Sequence, residues 1–200
     1  DIYGTRVTAA GVVQDAAGLL LSGAMNSQSG PSVASNGADY LVVWSDARSG
    51  TERDIYGTRV TATGVVQNAT GMVVSNASDD QGLVRVASSG SGYFVAWQDD
   101  RNGPWSDIYA TRVTSAGVVQ DAAGLVVSNA SQNQRFPAVA SNGSGYLAVW
   151  TDTRHSTVSG DDIYGARVTA TGIVTDATGL VIGRDSNHQQ TPRAASNGTN

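Results

Sequence analysis

The chemistry open to this chain is that of carboxylates and guanidinium groups. It has 17 acidic and 12 basic side chains, every basic one is arginine, and Glu52 is the single glutamate. The absence of cysteine removes disulfides, thiol nucleophiles and thiolate metal sites. The absence of lysine removes Schiff-base chemistry and a phosphate-binding P-loop. What is left is regularly spaced: Asp46 and Arg48, Asp99 and Arg101, Asp152 and Arg154, followed by Asp54, Asp107 and Asp162. A planar guanidinium holds a carboxylate through two hydrogen bonds. These residues therefore read as pins for their loops, each arginine bonding to the aspartate beside it or to the one that follows. A ring of the same groups that reads a ligand is the functional alternative.

Residues that interrupt a regular pattern are better candidates for function than residues that keep it. Glu52, Trp105, His155 and Asp161 are of this kind, together with Arg135, Arg184 and His188. Cleavage of a glycosidic bond needs two carboxyl groups flanking it, and Glu52 with Asp161 is the one combination from unlike loops. Trp105, just after Pro104, reads either as an exposed platform for a sugar ring or a peptide, or as a cover for its own sheet edge. The two histidines have no cysteine or serine partner at a recognised spacing. A second series, Gln28, Gln81, Gln134 and Gln189, could line a polar pocket; the plainer reading is that each amide satisfies buried backbone groups. Calcium, the one cofactor to consider, wants several oxygens from one short loop. Asp99, Asp100 and Asn102 come nearest, with Arg101 set among them, and Asp161 with Asp162 come next.

The elements that position these groups follow from internal repetition. Asp-Ile-Tyr-Gly begins at Asp1, Asp54 and Asp162 and recurs as Asp-Ile-Tyr-Ala at Asp107, giving steps of 53, 53 and 55 residues. Tyr40, Tyr93 and Tyr146, and Trp44, Trp97 and Trp150, keep the same step. Within one unit everything reads as strand and turn. Strand A runs from Pro137 to Ser141 and ends in Asn142-Gly143-Ser144-Gly145, residues that tolerate positive φ. Strand B covers Tyr146 to Trp150, and strand C, Ile163 to Thr169, alternates apolar and polar side chains. Strand D covers Gly179 to Ile182, and no stretch has helical periodicity.

Four antiparallel strands repeated at this length predict an all-β fold, a β-propeller of four-stranded blades with a period of about 53 residues, because radial stacking buries both faces of each small sheet. The chain divides as one propeller domain or segment, 1–200. Residues 1–30 supply strands C and D of a first blade, 31–83, 84–136 and 137–191 are blades, and 192–200 start another. Three tryptophan strands accompany four Asp-Ile-Tyr strands, so an incomplete ring, a segment of a longer array, or a ring closed with a second copy is expected. Alternation puts the B–C loops and the D-to-A connections on one face, where a binding site is expected.

The run Pro-Ala-Val-Ala-Ser-Asn-Gly, then Tyr-Leu-Ala-Val-Trp-Thr-Asp-Thr-Arg, then Asp-Ile-Tyr-Gly resembles the TolB-like, WD-like propeller repeat of bacteria. It is similar to long arrays found in secreted bacterial proteins, and the resemblance covers essentially the whole chain. It implies a secreted or cell-surface location, while propellers of this kind support many unrelated activities.

The net charge of −5 and the lack of any basic run argue against a nucleic-acid partner. No apolar run approaches the roughly 18 residues of a membrane helix, so no membrane insertion is expected. These readings together point to a non-catalytic extracellular module that binds or displays a glycan or protein ligand, and not to an enzyme. The alternatives are a structural or self-assembling array that associates through open blade edges and, third, a glycosidase-like propeller. Asn-x-Ser/Thr sequences at Asn68, Asn76, Asn129, Asn142 and Asn197 would permit glycosylation.

Overall fold

A computed structural model describes residues 1–158 and 160–198. The fold is all β: a two-stranded sheet, β1 (Ile2–Gly4) and β2 (Leu19–Ser22), is followed by three four-stranded antiparallel sheets. Blade one comprises β3 (Gln28–Ser35), β4 (Asp39–Asp46), β5 (Asp54–Thr61) and β6 (Met72–Ser75). Blade two comprises β7 (Gln81–Ser88), β8 (Gly92–Asp99), β9 (Asp107–Thr114) and β10 (Leu125–Ser128). Blade three comprises β11 (Gln134–Ser141), β12 (Gly145–Asp152), β13 (Asp162–Thr169) and β14 (Leu180–Gly183). Each sheet runs A-B-C-D in chain order, and the A strands of successive blades pack on one another, β3 on β7 and β7 on β11. Strand A is therefore the inner edge. Residues 199–200, in the segment expected to start another blade, and residue 159 lie outside the described residues.

Strand A begins at Gln28, Gln81 and Gln134, three residues before the expected start at Pro31, Val84 and Pro137. The register slips just after each glutamine, and Gly30, Leu83 and Phe136 sit there with φ of 62°, 53° and 55°. A bulge of this kind adds a residue without ending the ladder, so the strand continues through what reads in sequence as a break.

The core forms where the apolar faces of neighbouring blades meet and cover one another. Trp44, Trp97 and Trp150 are fully buried, and so are Leu41, Val43, Phe94 and Val95. The Phe94 and Tyr146 rings stack across the boundary of blades two and three, centroids 4.7 Å apart.

Arginines on strand C bind the blades laterally. Arg6 chelates Asp15 through Nε and Nη2, at 2.9 and 2.7 Å, and its Nη1 donates to Ala62 O in the C–D turn of blade one. Arg59 reaches Ala116 O of blade two in the same way. A Cβ at Gly64 would lie 2.8 Å from the Arg6 guanidinium, which together with φ of 87° is why glycine occupies that turn. Arg112 and Arg167 chelate Asp121 and Asp176, but the residue at this place in blade one is Asn68, and Arg59 pairs instead with Asp39. The other blades have glycine, Gly92 and Gly145, where blade one has Asp39. Asp39→Ala is expected to lower stability by about 1 kcal/mol, the scale of a partly exposed ion pair. Adding Asn68→Asp should restore that loss, because it rebuilds the partner the other blades use. Urea midpoints of the single and double variants decide it, and a double variant no more stable than Asp39→Ala would sink the idea.

Candidate functional site

The face expected to carry a site is built by the B–C loops, residues 47–53, 100–106 and 153–161, and by the D-to-A connections beside them. One hydrogen bond recurs between the two. The backbone N–H of Arg53 donates to Asp80 Oδ1 at 2.8 Å, that of Ser106 to Asn133 Oδ1 at 3.2 Å, and that of Asp161 to His188 Nδ1 at 3.1 Å. His188 interrupts the sequence pattern yet does the repeat's own work here, and it must present an unprotonated Nδ1 to do so. Each glutamine closes the connection from the other side. Gln28 Nε2 donates to Met25 O and Asn26 O at 3.1 and 3.0 Å, and Gln134 Nε2 donates to Gln132 O at 3.0 Å. Gln81 Nε2 donates to Ala77 O at 2.9 Å, and Gln189 Nε2 to Asn187 O. These amides fold back on turns whose Asn26, Asp79 and Gln132 have φ near 65°, at 64°, 63° and 67°.

The repeated Asp/Arg series is spent inside the blade. Asp46 accepts from Trp44 Nε1 at 2.8 Å and from Arg48 N, Nε and Nη2 at 2.9, 3.0 and 2.6 Å. Arg48 also lies 3.8 Å over the Tyr56 ring and donates to Thr70 O. Asp99 with Arg101 and Asp152 with Arg154 repeat this, over Tyr109 and Tyr164. Each arginine thus takes the aspartate two residues before it and not the strand-C aspartate. Burial pushes the Asp46 carboxyl up, but the Arg48 and Trp44 donors outweigh it and the net shift is downward.

Asp54 stands opposite Asp46 across the β4–β5 ladder, and burial, Asp46 and Glu52 all push its carboxyl up. Asp107 is raised by burial as well, while Asn102 Nδ2 donates to it at 2.9 Å. Asp162 is fully buried, with Arg184 Nε 3.7 Å away. Of the residues considered for calcium, Asp99 accepts from Trp97 and Arg101, and Asn102 turns its N–H donors, not its oxygen, toward Asp107 and Tyr109. Among the described residues no group of three or more His, Cys, Asp or Glu is arranged to hold a metal ion.

The pattern-breaking residues share this face but come from three blades. Glu52 is exposed and accepts from Asp79 N at 3.1 Å. Trp105 is 44% exposed in the blade-two loop, and half-buried His155 lies in the blade-three loop. Asp161 accepts from Gln190 Nε2 and lies 3.4 Å from His188. The structure adds residues that the sequence reading passed over. Leu83 and Phe136, at the bulges of the inner strands, are large, exposed and in a left-handed backbone conformation that bulky side chains rarely adopt. Their signal in the sequence is the varied set Gly30, Leu83, Phe136 and Thr191 at one place in the repeat. A separate groove of about 570 Å³ lies between β1–β2 and blade one, lined by Tyr3, Leu21, Val33 and Val42 among others.

Inner A strands, outer D strands and buried blade faces define a β-propeller architecture. The chain matches no protein-family model and no curated relative. Among solved structures it is similar to an α-L-arabinofuranosidase from Lactobacillus brevis, at 8% identity and a TM-score of 0.50, covering 78% of this chain and 53% of that one. It is also similar to the catalytic domain of a GH62 α-L-arabinofuranosidase from Coprinopsis cinerea, at 12% identity, TM-score 0.49 and coverages of 83% and 57%. TolB from Acinetobacter baumannii matches at 16% identity and TM-score 0.42, over 76% of this chain and 32% of that one. The chain spans about half the length of the first two. The expectation of a non-catalytic module, and with it of a chain that is not an enzyme, is corrected by this comparison. It rested on the residues, which offer only Glu52 with Asp161 as a carboxylate pair, whereas the fold is similar to that of a hydrolase. No helix among the described residues is long and apolar enough to cross a membrane.

Proposed function

We propose that this chain is part of a glycan-acting propeller of the glycoside-hydrolase kind, with the substrate on the B–C loop face. The observation that carries this reading is the blade arrangement it has in common with the arabinofuranosidase from Lactobacillus brevis. Two features of the face support it. Glu52 and Asp161 are carboxylates outside the arginine clamps, and Trp105 offers an aromatic surface of the kind on which sugar rings stack. In such a reaction one carboxyl protonates the departing glycosidic oxygen and the other activates water or attacks the sugar carbon. Gln190 Nε2 donates to the Asp161 carboxylate and His188 Nδ1 accepts from the Asp161 backbone N–H, and the Asp79 N–H holds Glu52. The TolB-like form of the repeat and a location outside the cell, where polymeric glycans are met, belong to the same reading.

The test is sugar release from arabino-oligosaccharides and from an aryl α-L-arabinofuranoside. Activity is expected, with a fall of about a hundredfold or more in Glu52→Gln and in Asp161→Asn, both variants keeping the parent circular dichroism spectrum. Absence of release from every arabinose- and xylose-based substrate would overturn the reading.

A further inference from the structure

The boundaries between successive blades are built alike. Ile2 and Leu21 of the β1–β2 sheet share one apolar cluster with Tyr56 and Val60 of blade one. Ile55 and Val74 of blade one do the same with Tyr109 and Val113 of blade two. Ile108 and Val127 of blade two do so with Tyr164 and Val168 of blade three. Successive side chains of a strand point to opposite faces, so strand C sends its isoleucine forward to the next blade and its tyrosine and valine back to the preceding one.

At the two ends these faces are uncovered. Tyr3 is 58% exposed where Tyr109 and Tyr164 are 6% and 4%, and Ile182 is 54% exposed where Val74 and Val127 are 2% and 1%. Val7 is exposed as well. The polar contact is divided in the same way. Arg6 and Arg59 donate to the C–D turn of the next blade, and a Cβ at Gly172 would lie 2.7 Å from Arg112 Nε. Arg167, last in this series, has 63% of its side chain exposed, and the space beside Gly11, in the turn between β1 and β2, is open. A groove lies at each end: the one of about 570 Å³ is lined by Tyr3, Val7 and Val33, and one of about 480 Å³ by Leu147, Arg167 and Leu180.

One end therefore presents Ile163, Ile182 and Arg167, and the other presents Tyr3, Val7 and the Gly11 turn. These are the two halves of a boundary that the chain forms three times within itself. We propose that they meet head to tail between two copies of this chain, Ile182 of one copy on Tyr3 and Val7 of the second, with Arg167 against the second copy's Gly11 turn. Contacts between unlike surfaces repeat until they close a ring. Each copy has three four-stranded sheets and one two-stranded sheet, so two copies supply eight units, and propellers close at roughly four to eight blades. The occupant of each open face is thus a second copy, and this inference does not depend on the glycan-acting reading above.

The test is light scattering behind a sizing column, on the whole chain over a range of concentrations. A species of twice the 20.5 kDa of one chain is expected. Val7→Asp and Ile182→Asp, both at exposed positions, should each halve that mass. An equimolar mixture of the two variants should regain a dimer, because each keeps the end that the other has lost, and the recovery shows that both fold. A parent that is monomeric at every concentration overturns the inference, as does a dimer that neither variant dissociates. A mixture that stays monomeric overturns it in favour of an interface pairing like surfaces. Species that keep growing with concentration overturn the two-copy ring in favour of an open filament.

Discussion

Asp46→Ala is expected to cost about 3–5 kcal/mol, the scale for removing one partner of a buried ion pair. Asp46 is fully buried and takes four hydrogen bonds, one from the Trp44 indole and three from Arg48. Its removal leaves the indole N–H without an acceptor and the guanidinium without its carboxylate, with only the Tyr56 ring and Thr70 O to hold Arg48. The loss should depend on pH with a definite sign. The native Asp46 carboxyl lies below its ordinary value, so the unfolded state takes up the proton first as pH falls. The stabilisation is complete above the ordinary carboxylate range, near pH 4, and disappears as pH drops through the lower native value. Guanidinium unfolding of the parent and Asp46→Ala at pH 7 and at low pH measures both effects. A difference under about 1 kcal/mol at pH 7, the scale of an exposed pair, would show that the cluster is not the clamp described.

Phe94→Ala should cost a similar amount, about 3–5 kcal/mol for a large aromatic deleted from a packed core. Its further effect is on cooperativity. Phe94 is fully buried in β8 and stacks at 16° on Tyr146 of β12, whose hydroxyl bonds to Ser89 of blade two. The ring pair sits in the apolar cluster that closes the boundary between blades two and three, with Ala96, Ile108, Ala148 and Trp150 around it. Repeat units that contact only their neighbours depend on such boundaries to unfold together. Tryptophan fluorescence and far-ultraviolet circular dichroism should give coincident transitions in the parent and separated ones in the variant. Coincident transitions in both would mean that the blades are coupled elsewhere. Tyr40→Ala, at a ring already 38% exposed, is the control and should leave the transitions coincident.

The four-strand unit, its strand order and the loop face were legible because an alternating strand pattern repeated at a constant step has few other ways to bury its apolar side. The partners of the charged residues were less so. Arg48 could take Asp46 or Asp54 by spacing alone. The choice falls to Asp46 because the Trp44 indole orients its second oxygen and Tyr56 holds the guanidinium from below. Arg59 and Asp39 are 20 residues apart, and only the β4–β5 register, with Leu41 opposite Arg59, brings them together. His188 looked anomalous as a residue type, although its lone pair replaces the oxygens of Asp80 and Asn133.

By itself, then, the sequence determined what is local and periodic: strands, tight turns, a buried tryptophan in every blade, and which residues depart from the rule. Tertiary structure decided which carboxylates are clamped and which are raised by burial, where the bulges turn Leu83 and Phe136 outward, and which blade faces stay uncovered at the two ends. The physical reason is one of range. Periodicity is a property of neighbours along the chain, whereas desolvation and ion pairing depend on which distant groups the stacking of blades brings within a few ångströms.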